Sequence, residues 1–184
     1  MMATTHALAG VALAVAVSLF VPEAGGLPVL AAAVGGFFPD FDLTGDHRKT
    51  LHFPVYYSVA AVPAGLLALL NPTTVTVAVA LFLVAAAAHS ASDVLGGGLE
   101  LRPWEATGEK AVYVHPQRRW LRPKRLVRYD GAPEDFVVGA AFALPGLVVF
   151  DGWVEQAVLA GLVVSLAYTV VRKRLPDITP ERFQ

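Results

Sequence analysis

Six long apolar stretches divide this chain, and they constrain its fold more than any other feature. They cover residues 7–21, 25–38, 53–70, 74–94, 136–150 and 154–171. A membrane-spanning helix needs about 20 predominantly apolar residues, with a range of about 17–25. The third, fourth and sixth stretches meet or approach that length, and the first does so if Thr4 and Thr5 are included. The second and fifth are short, so each predicts either a thin span or a buried half-helix.

Composition favours a membrane protein over two alternatives. Of the 184 residues, 55% are hydrophobic and only 16% are charged, whereas an ordinary soluble domain carries about 25% charged residues. A disordered chain would need low hydrophobicity, and an apolar soluble helical core would need more polar sequence to cover it. The first stretch has neither a basic segment before it nor a small-residue cleavage site after it. We therefore expect a retained helix rather than a signal peptide.

The distribution of positive charge predicts how such a chain is oriented. With six spans, outward turns fall near 22–24, 71–73 and 151–153, and inward segments at 1–6, 39–52, 95–135 and 172–184. All 14 Lys and Arg residues lie in the inward segments, which is the positive-inside asymmetry of membrane proteins. We predict one all-α domain over residues 1–184, a polytopic transmembrane helical bundle of about six spans in the cell membrane, with both termini cytoplasmic.

Residues 95–135 form the longest inward segment and are predicted to be a long basic cytoplasmic loop. Eight Lys and Arg residues occur there among aromatic residues such as Trp104, Tyr113 and Trp120. One interpretation lays the loop on anionic lipid headgroups. Another makes it a cap over the polar residues described next, because long loops are usually functional or disordered. A plain solvated loop stays open as well. No recognisable nucleic-acid module is present, so nucleic acid is not an expected partner, and the sequence identifies no protein partner.

Ligand-type polar residues are concentrated at the same cytoplasmic end. They are His6 before the first span, Asp40, Asp42, His47, Arg48 and His52 between the second and third, and His89 and Asp93 at the end of the fourth. His89 and Asp93 are four residues apart, so their side chains project from one face of a helix. Ionisable groups inside an apolar helix are costly and indicate a functional site.

The donor types limit the metal chemistry that this end supports. The chain has no cysteine, so thiolate sites are excluded, and His with Asp favours Zn²⁺, Mn²⁺, Fe²⁺ or Mg²⁺. A divalent cation activates water and polarises a scissile phosphoryl or carbonyl oxygen. Arg48 would bind a phosphate or carboxylate through two hydrogen bonds, and Asp42 would act as a general base or orient a ligand. Plainer interpretations stay open: an interfacial His6, Asp40 and Asp42 as a helix end, and Arg48 as an orientation charge.

These residues also carry a family resemblance over nearly the whole chain. The motifs are Thr5-His6, Pro39-Asp40-x-Asp42, His47-Arg48-x-x-x-His52 and His89-x-x-x-Asp93. They resemble the YdjM-like family of inner-membrane-associated metal-dependent hydrolases, and residues 96–135 are similar to the version found in halophilic archaea. That family shares a distant motif pattern with zinc-dependent phospholipase C. The resemblance implies a phosphoester hydrolase, with Zn²⁺ as the first choice of metal. The implied ligands are His6, Asp40, His52, His89 and Asp93, and Asp42 and His47 are further candidates.

Three hypotheses about function follow. The first is a membrane-bound metal-dependent hydrolase acting on a lipid-linked or membrane-adjacent phosphoester, with Asp42, His47 and Arg48 as catalytic residues. The second is a non-catalytic membrane scaffold or partner-binding protein, in which the same His and Asp side chains join helix ends. A transporter is third, because its ionisable residues are expected near the bilayer midplane, whereas these lie at one end.

Overall fold

The structure is a computed structural model and describes residues 1–21 and 25–178. Most of the described chain is helical: α1 (Ala3–Ser18), α2 (Gly26–Phe37), α3 (Pro54–Leu70), α4 (Thr74–Ser92), α5 (Pro133–Val149), α6 (Gly152–Val171) and the short α7 (Leu175–Ile178). Each of the six apolar stretches is a helix, which confirms the mostly helical prediction. The predicted outward turn at 22–24 and the tail from 179 to 184, with Arg182, lie outside the described residues.

Local sequence signals set where several helices begin and end. Pro54 and Pro133 occupy the first position of α3 and α5, where the missing proline N–H costs no hydrogen bond. Thr73 and Thr76 cap the start of α4 reciprocally. Short connections then join α3 to α4 and α5 to α6. Each of these pairs is therefore an antiparallel hairpin, and the ends of α2, α4 and α6 lie at one end of the bundle.

α1 lies at the centre of the bundle and contacts α2, α4, α5 and α6. The shared apolar core is formed by Leu8, Val11, Ala14, Val29, Ala32, Val77, Leu81, Ala143, Val154 and Val158. Glycines allow the closest helix approaches. A Cβ at Gly10 would overlap the carbonyl of Ala32, and a Cβ at Gly36 would overlap the carbonyl of His6. Small residues at such crossings let backbones meet, and the end of α2 is thereby held against the start of α1.

The connection between α4 and α5 was predicted as a long basic loop, with a structured cap as one interpretation, and in the structure it is folded. Two short strands, β1 (Val112–Val114) and β2 (Arg119–Leu121), pair antiparallel, so the bundle is not purely α-helical. The turn between them contains Pro116 and a left-handed Arg118 with φ of 50°. A further set of backbone hydrogen bonds joins residues 124–127 to residues 94–96. These contacts fix the connection against the end of α4.

Helix length distinguishes two of these helices from the others. The stretches Thr74–Leu95 and Gly152–Ile178 are long and apolar enough to cross a membrane, and their most apolar 18-residue windows have mean hydropathies of 1.9 and 1.8. α2 has 12 residues and is about 18 Å long at 1.5 Å per residue, whereas a bilayer core is about 30 Å thick. α1 and α3 have 16 and 17 residues. Length and composition of the described helices therefore support two spans, not the predicted six.

Candidate metal centre

Four ligand-type side chains meet where the ends of α2 and α4 approach the start of α3. Asp40 lies in the 3₁₀ helix Phe38–Thr44 that continues α2, and His52 precedes α3. His89 occupies the last turn of α4, and Asp93 begins the 3₁₀ helix that follows. One ligand atom from each residue lies within 4.8 Å of the other three. This group, called the His/Asp centre below, could hold a metal ion.

The distances within the His/Asp centre suit ligands around a cation better than hydrogen-bonded partners. His52 Nε2 lies 3.6 Å from Asp40 Oδ1 and 3.3 Å from Asp93 Oδ2. His89 Nε2 lies 3.4 and 3.5 Å from the same two oxygens. Charge-assisted hydrogen bonds are shorter, about 2.7–2.9 Å. Tetrahedral bonds of about 2.0–2.1 Å to zinc place neighbouring ligand atoms about 3.3–3.4 Å apart, which is close to these separations.

Both imidazoles point an unsatisfied nitrogen into the centre. Nε2 of His52 and Nε2 of His89 are buried and lack a hydrogen-bond partner. Buried polar atoms are nearly always paired, so two such atoms aimed at two carboxylates call for an additional group. A divalent cation would satisfy both nitrogens and neutralise both carboxylates.

The opposite nitrogen of each ring is held by a fixed partner. His89 Nδ1 donates to the carbonyl of Gly36 at 2.5 Å, and His52 Nδ1 lies 2.9 Å from Asp42 Oδ2. Because a carbonyl can only accept a hydrogen bond, the ring proton of His89 lies on Nδ1. Its Nε2 therefore keeps a lone pair that is free to bind a cation. Outer partners of this kind orient metal-binding histidines and raise their basicity. The carbonyl of Gly36 was missed by sequence reasoning, although the Gly35-Gly36 pair marked a close helix contact there.

Asp42 holds two histidines and does not face the His/Asp centre. Its second oxygen, Oδ1, lies 2.7 Å from His47 Nδ1. In a 3₁₀ helix successive residues turn by roughly 120°, so Asp40 and Asp42 point to different sides of the segment. Asp42 is 2% exposed. Of the two roles that the sequence left open for it, general base or orienting residue, this position fits the second, because Asp42 orients His47 and His52.

Protonation equilibria favour charged groups around the site. Burial opposes ionisation of Asp42, but hydrogen bonds from His47 and His52 outweigh it and lower the pKa of that carboxyl. Burial also opposes ionisation of Asp40, and the adjacent His89 imidazole lowers its pKa nonetheless. For His52, burial favours the neutral ring, but the nearby carboxylates of Asp42 and Asp93 raise the pKa of the imidazole. A proton and a cation would therefore compete for His52.

His6 lies beside the His/Asp centre, outside the group of four. Its Nε2 is 3.0 Å from Asp93 Oδ1, the carboxylate oxygen that faces away from His52 and His89. Its ring also stacks on His89, with centroids 3.7 Å apart. Four of the five sequence-implied ligands thus converge, and in this arrangement His6 orients Asp93 and His89.

Arg48 is buried next to the centre in a strained backbone conformation. Its φ is 58°, in the left-handed region that non-glycine residues seldom adopt and that is frequent at functional sites. Its Nη1 donates to the carbonyl of Gly97 at 2.7 Å, and its Nε lies 3.4 Å from Asp93 Oδ2. The backbone N–H of Tyr113 donates to the Arg48 carbonyl. The α4–α5 connection therefore holds Arg48 in place.

A pocket of about 570 Å³ opens beside the centre. Asp40, His47 and Arg48 line it together with Glu100, Asp130 and Arg172, and its other lining residues are largely apolar and come mainly from the start of the chain, α2, residues 98–101 and α6. Asp40 is 15% exposed, whereas His52, His89 and Asp93 are buried. His115 lies elsewhere, against the rings of Phe53 and Tyr113. The pocket thus gives access to the centre through one ligand.

Comparison with models of known protein families, with curated proteins and with solved structures finds no match for this chain.

Proposed function

We propose that this chain is a multi-pass membrane protein whose His/Asp centre binds a divalent metal, with Zn²⁺ as the first choice, and hydrolyses a phosphoester at the cytoplasmic face. One observation carries the proposal: four ligand atoms lie within 4.8 Å of one another, two of them unpartnered buried imidazole nitrogens, beside an open pocket. The sequence resemblance to YdjM-like metal-dependent hydrolases supports the same class.

The four ligand residues would hold the cation, and the residues around the pocket would act on the substrate. A bound divalent cation activates water and polarises a scissile phosphoryl oxygen. His47 lines the pocket and is oriented by Asp42, so it is placed to donate or accept a proton. Arg48 adds positive charge at the same end of the pocket, where it would favour an anionic substrate.

Exposed apolar surface supports the membrane part of the proposal. α3 has no buried residue, and the side chains of Val59, Val62, Leu66, Leu69 and Leu70 on it are all more than half exposed. On α6, Val163, Val164 and Val170 are exposed to a similar degree. Apolar patches of this extent mark a partner or a membrane. Together with the positive-inside charge pattern, they favour a multi-pass membrane protein with cytoplasmic termini, in which α4 and α6 are the described helices long enough to span.

One observation favours a second candidate, a non-catalytic metal or polar cluster that joins helix ends. Catalytic zinc usually has three protein ligands and one open position, whereas structural zinc has four, and this centre offers four. The two candidates differ in the role of the pocket: the hydrolase needs it to bind a substrate, whereas a structural centre does not. A structural centre predicts that loss of the cluster lowers stability without any hydrolytic activity to lose.

Metal analysis of detergent-purified protein tests the proposal first. We expect close to one equivalent of metal in the wild-type protein and little in His89→Gln. His115→Gln is the matched control, because His115 packs on Phe53 and Tyr113 away from the centre, and it should retain the metal. Equal metal content in all three proteins, at a trace level, would refute a metal site here.

Hydrolysis assays then separate the two candidates. The metal-loaded protein is tested on phosphomonoester, phosphodiester and carboxylic ester probes, with His47→Gln as the variant that leaves the four ligands intact. Activity lost in both His47→Gln and His89→Gln supports the hydrolase. A stoichiometric metal with no activity on any of the probes, together with a lowered melting temperature in His89→Gln alone, supports the structural candidate and contradicts the hydrolase.

A further inference from the structure

A second, apolar pocket adjoins the pocket beside the His/Asp centre, and the two share one lining residue. The pocket at the centre is lined by Phe37 on α2 and by Val164 on α6. One turn further from the centre the second pocket is lined by Ala33 and Leu30 on α2 and by Gly161 and Ala157 on α6, and Thr4 of α1 lines both pockets. These residues repeat at three- and four-residue spacing, so they lie on the facing sides of α2 and α6. We call the two pockets together the lateral groove.

The length of the lateral groove matches one leaflet of a bilayer. From Val164 to Trp153 it follows eleven residues of α6, about 16 Å at 1.5 Å per residue. Half of a hydrocarbon core of about 30 Å is about 15 Å. The lining is almost entirely apolar beyond Thr4, and Gly161 contributes no side chain to narrow it. A hydrocarbon chain therefore suits both the length and the chemistry of this groove.

The two ends of the groove differ in charge. Its deep end carries Leu30, Val158 and Trp153, whereas its other end carries His47 and the charged residues Asp40, Arg48, Glu100, Asp130 and Arg172. Asp130 is paired with Arg172, and Glu100 lies 3.8 Å from Arg125. A divalent cation at the centre would offset Asp40 and Asp93, and Arg48 would then add one further positive charge. An anionic group attached to an apolar chain satisfies both ends, whereas a small water-soluble anion leaves the apolar part without an occupant.

We propose that the lateral groove binds the hydrocarbon chain of an anionic phosphate lipid, which enters between α2 and α6 from within the bilayer and presents its phosphate to the His/Asp centre. The proposal rests on the proposed function, because the phosphate needs the cation to approach two carboxylates. Hydrolysis of a phosphomonoester lipid forms a bond from the water oxygen to phosphorus and breaks the bond from phosphorus to the lipid oxygen. A proton from the water ends on that oxygen, so the products are the lipid alcohol and inorganic phosphate.

Photo-crosslinking of the full-length protein in lipid vesicles tests the groove directly. The probe is phosphatidic acid with a photoreactive group near the end of one acyl chain, and the crosslinked peptides are identified by mass spectrometry. We expect crosslinks on α2 and α6 at the groove residues. Ala157→Phe fills the groove and should reduce crosslinking about tenfold, since losing contact with two methylene groups weakens binding by about that factor.

Ala160→Phe is the matched control, because Ala157 and Ala160 are both exposed on α6 and only Ala157 lines the groove. It should crosslink like the wild-type protein. Equal crosslinking in the two variants, or crosslinks spread over other helices, would refute the proposal that the lateral groove binds a lipid chain. Glycerol 3-phosphate, which shares the headgroup without the chains, should compete poorly, and strong competition by it would also contradict the proposal.

Metal content measured on the same samples distinguishes a failure of the lipid inference from a failure of the proposed metal-dependent function. Bound metal without groove-specific crosslinking refutes the lipid inference and leaves the proposed function standing. Crosslinking at the groove without metal supports lipid binding and contradicts the hydrolase. If neither bound metal nor groove-specific crosslinking is found, both the proposed function and the lipid inference are refuted.

Discussion

Asp42→Asn tests the His/Asp centre without altering a candidate ligand. In the structure both carboxylate oxygens bind imidazole Nδ1 atoms, at 2.7 Å from His47 and 2.9 Å from His52. An amide of the same shape keeps only one accepting oxygen and turns an NH₂ group toward the other ring. If that ring is His52, its proton moves to Nε2 and blocks the cation. If it is His47, the orientation of the pocket histidine is lost, and His52 still exchanges a carboxylate partner for a neutral amide oxygen, so the basicity of His52 falls in either orientation.

The expected magnitude follows from measured effects of such outer partners, whose removal typically weakens metal affinity 10–100-fold. At a free zinc concentration of about 100 times the wild-type Kd, binding stabilises the folded protein by about 2.7 kcal/mol. With affinity ten times weaker the same zinc concentration gives about 1.4 kcal/mol, and with affinity a hundred times weaker about 0.4 kcal/mol. The zinc-induced increase in melting temperature should therefore fall to half or less.

The assay is thermal unfolding in detergent across a series of buffered free zinc concentrations. Asp46→Asn is the control, because Asp46 lies in the same connection between α2 and α3 but is exposed, and its carboxylate pairs with Lys49 at 2.6 Å, away from the centre. It should titrate like the wild-type protein. Unchanged zinc affinity in Asp42→Asn, or an equal loss in Asp46→Asn, would refute the role given to Asp42.

Three further outcomes are expected. Gly36→Ala should lower the free energy of unfolding by about 1–3 kcal/mol, because a methyl group there overlaps the carbonyl of His6. Gly65→Ala is the comparison: a methyl group there meets open space, so the free energy of unfolding should rise by up to about 1 kcal/mol. Thermal unfolding in detergent measures both variants. Asp135→Ala should cost at least about 2 kcal/mol in the same assay, because its carboxylate accepts three hydrogen bonds whose donors would lose their partner. Zinc affinity should fall as pH drops through the raised pKa of His52, by about tenfold per pH unit for one displaced proton, as measured by competition with a chelator.

The helices could be predicted from sequence, but the number of spans could not. Each apolar stretch marks a helix because apolar runs bounded by Pro, Gly and charge are reliable signals. Spanning depends in addition on helix length, and α2 ends at Phe37 after 12 residues because a 3₁₀ helix with Pro39 in its first turn follows at once. The two strands of the α4–α5 connection were not predicted for a different reason: each is three residues long, too short for alternation to stand out among basic residues.

The candidate site was partly visible in sequence. The pairing of His89 with Asp93 followed from four-residue spacing, and their 3.5 Å separation agrees with it. The different positions of Asp40 and Asp42 depend on the 3₁₀ turn, which sequence spacing alone did not reveal. The placement of His6 depends on how closely α1 and α2 pack at Gly36, and no local pattern contains that information.

The asymmetry of the His/Asp centre bears on the choice between a structural and a catalytic metal. Four protein ligands suit a structural site, and such a site gains nothing from an opening to solvent or lipid. Here three ligands are at most 1% exposed, while Asp40 is 15% exposed and forms part of the pocket wall. The pocket also exposes His47, which Asp42 orients from the same carboxylate that orients His52. Asp42 therefore couples the candidate ligand His52 to a pocket histidine, an arrangement that a purely structural centre does not require and that the proposed metal-assisted hydrolysis would use for proton transfer.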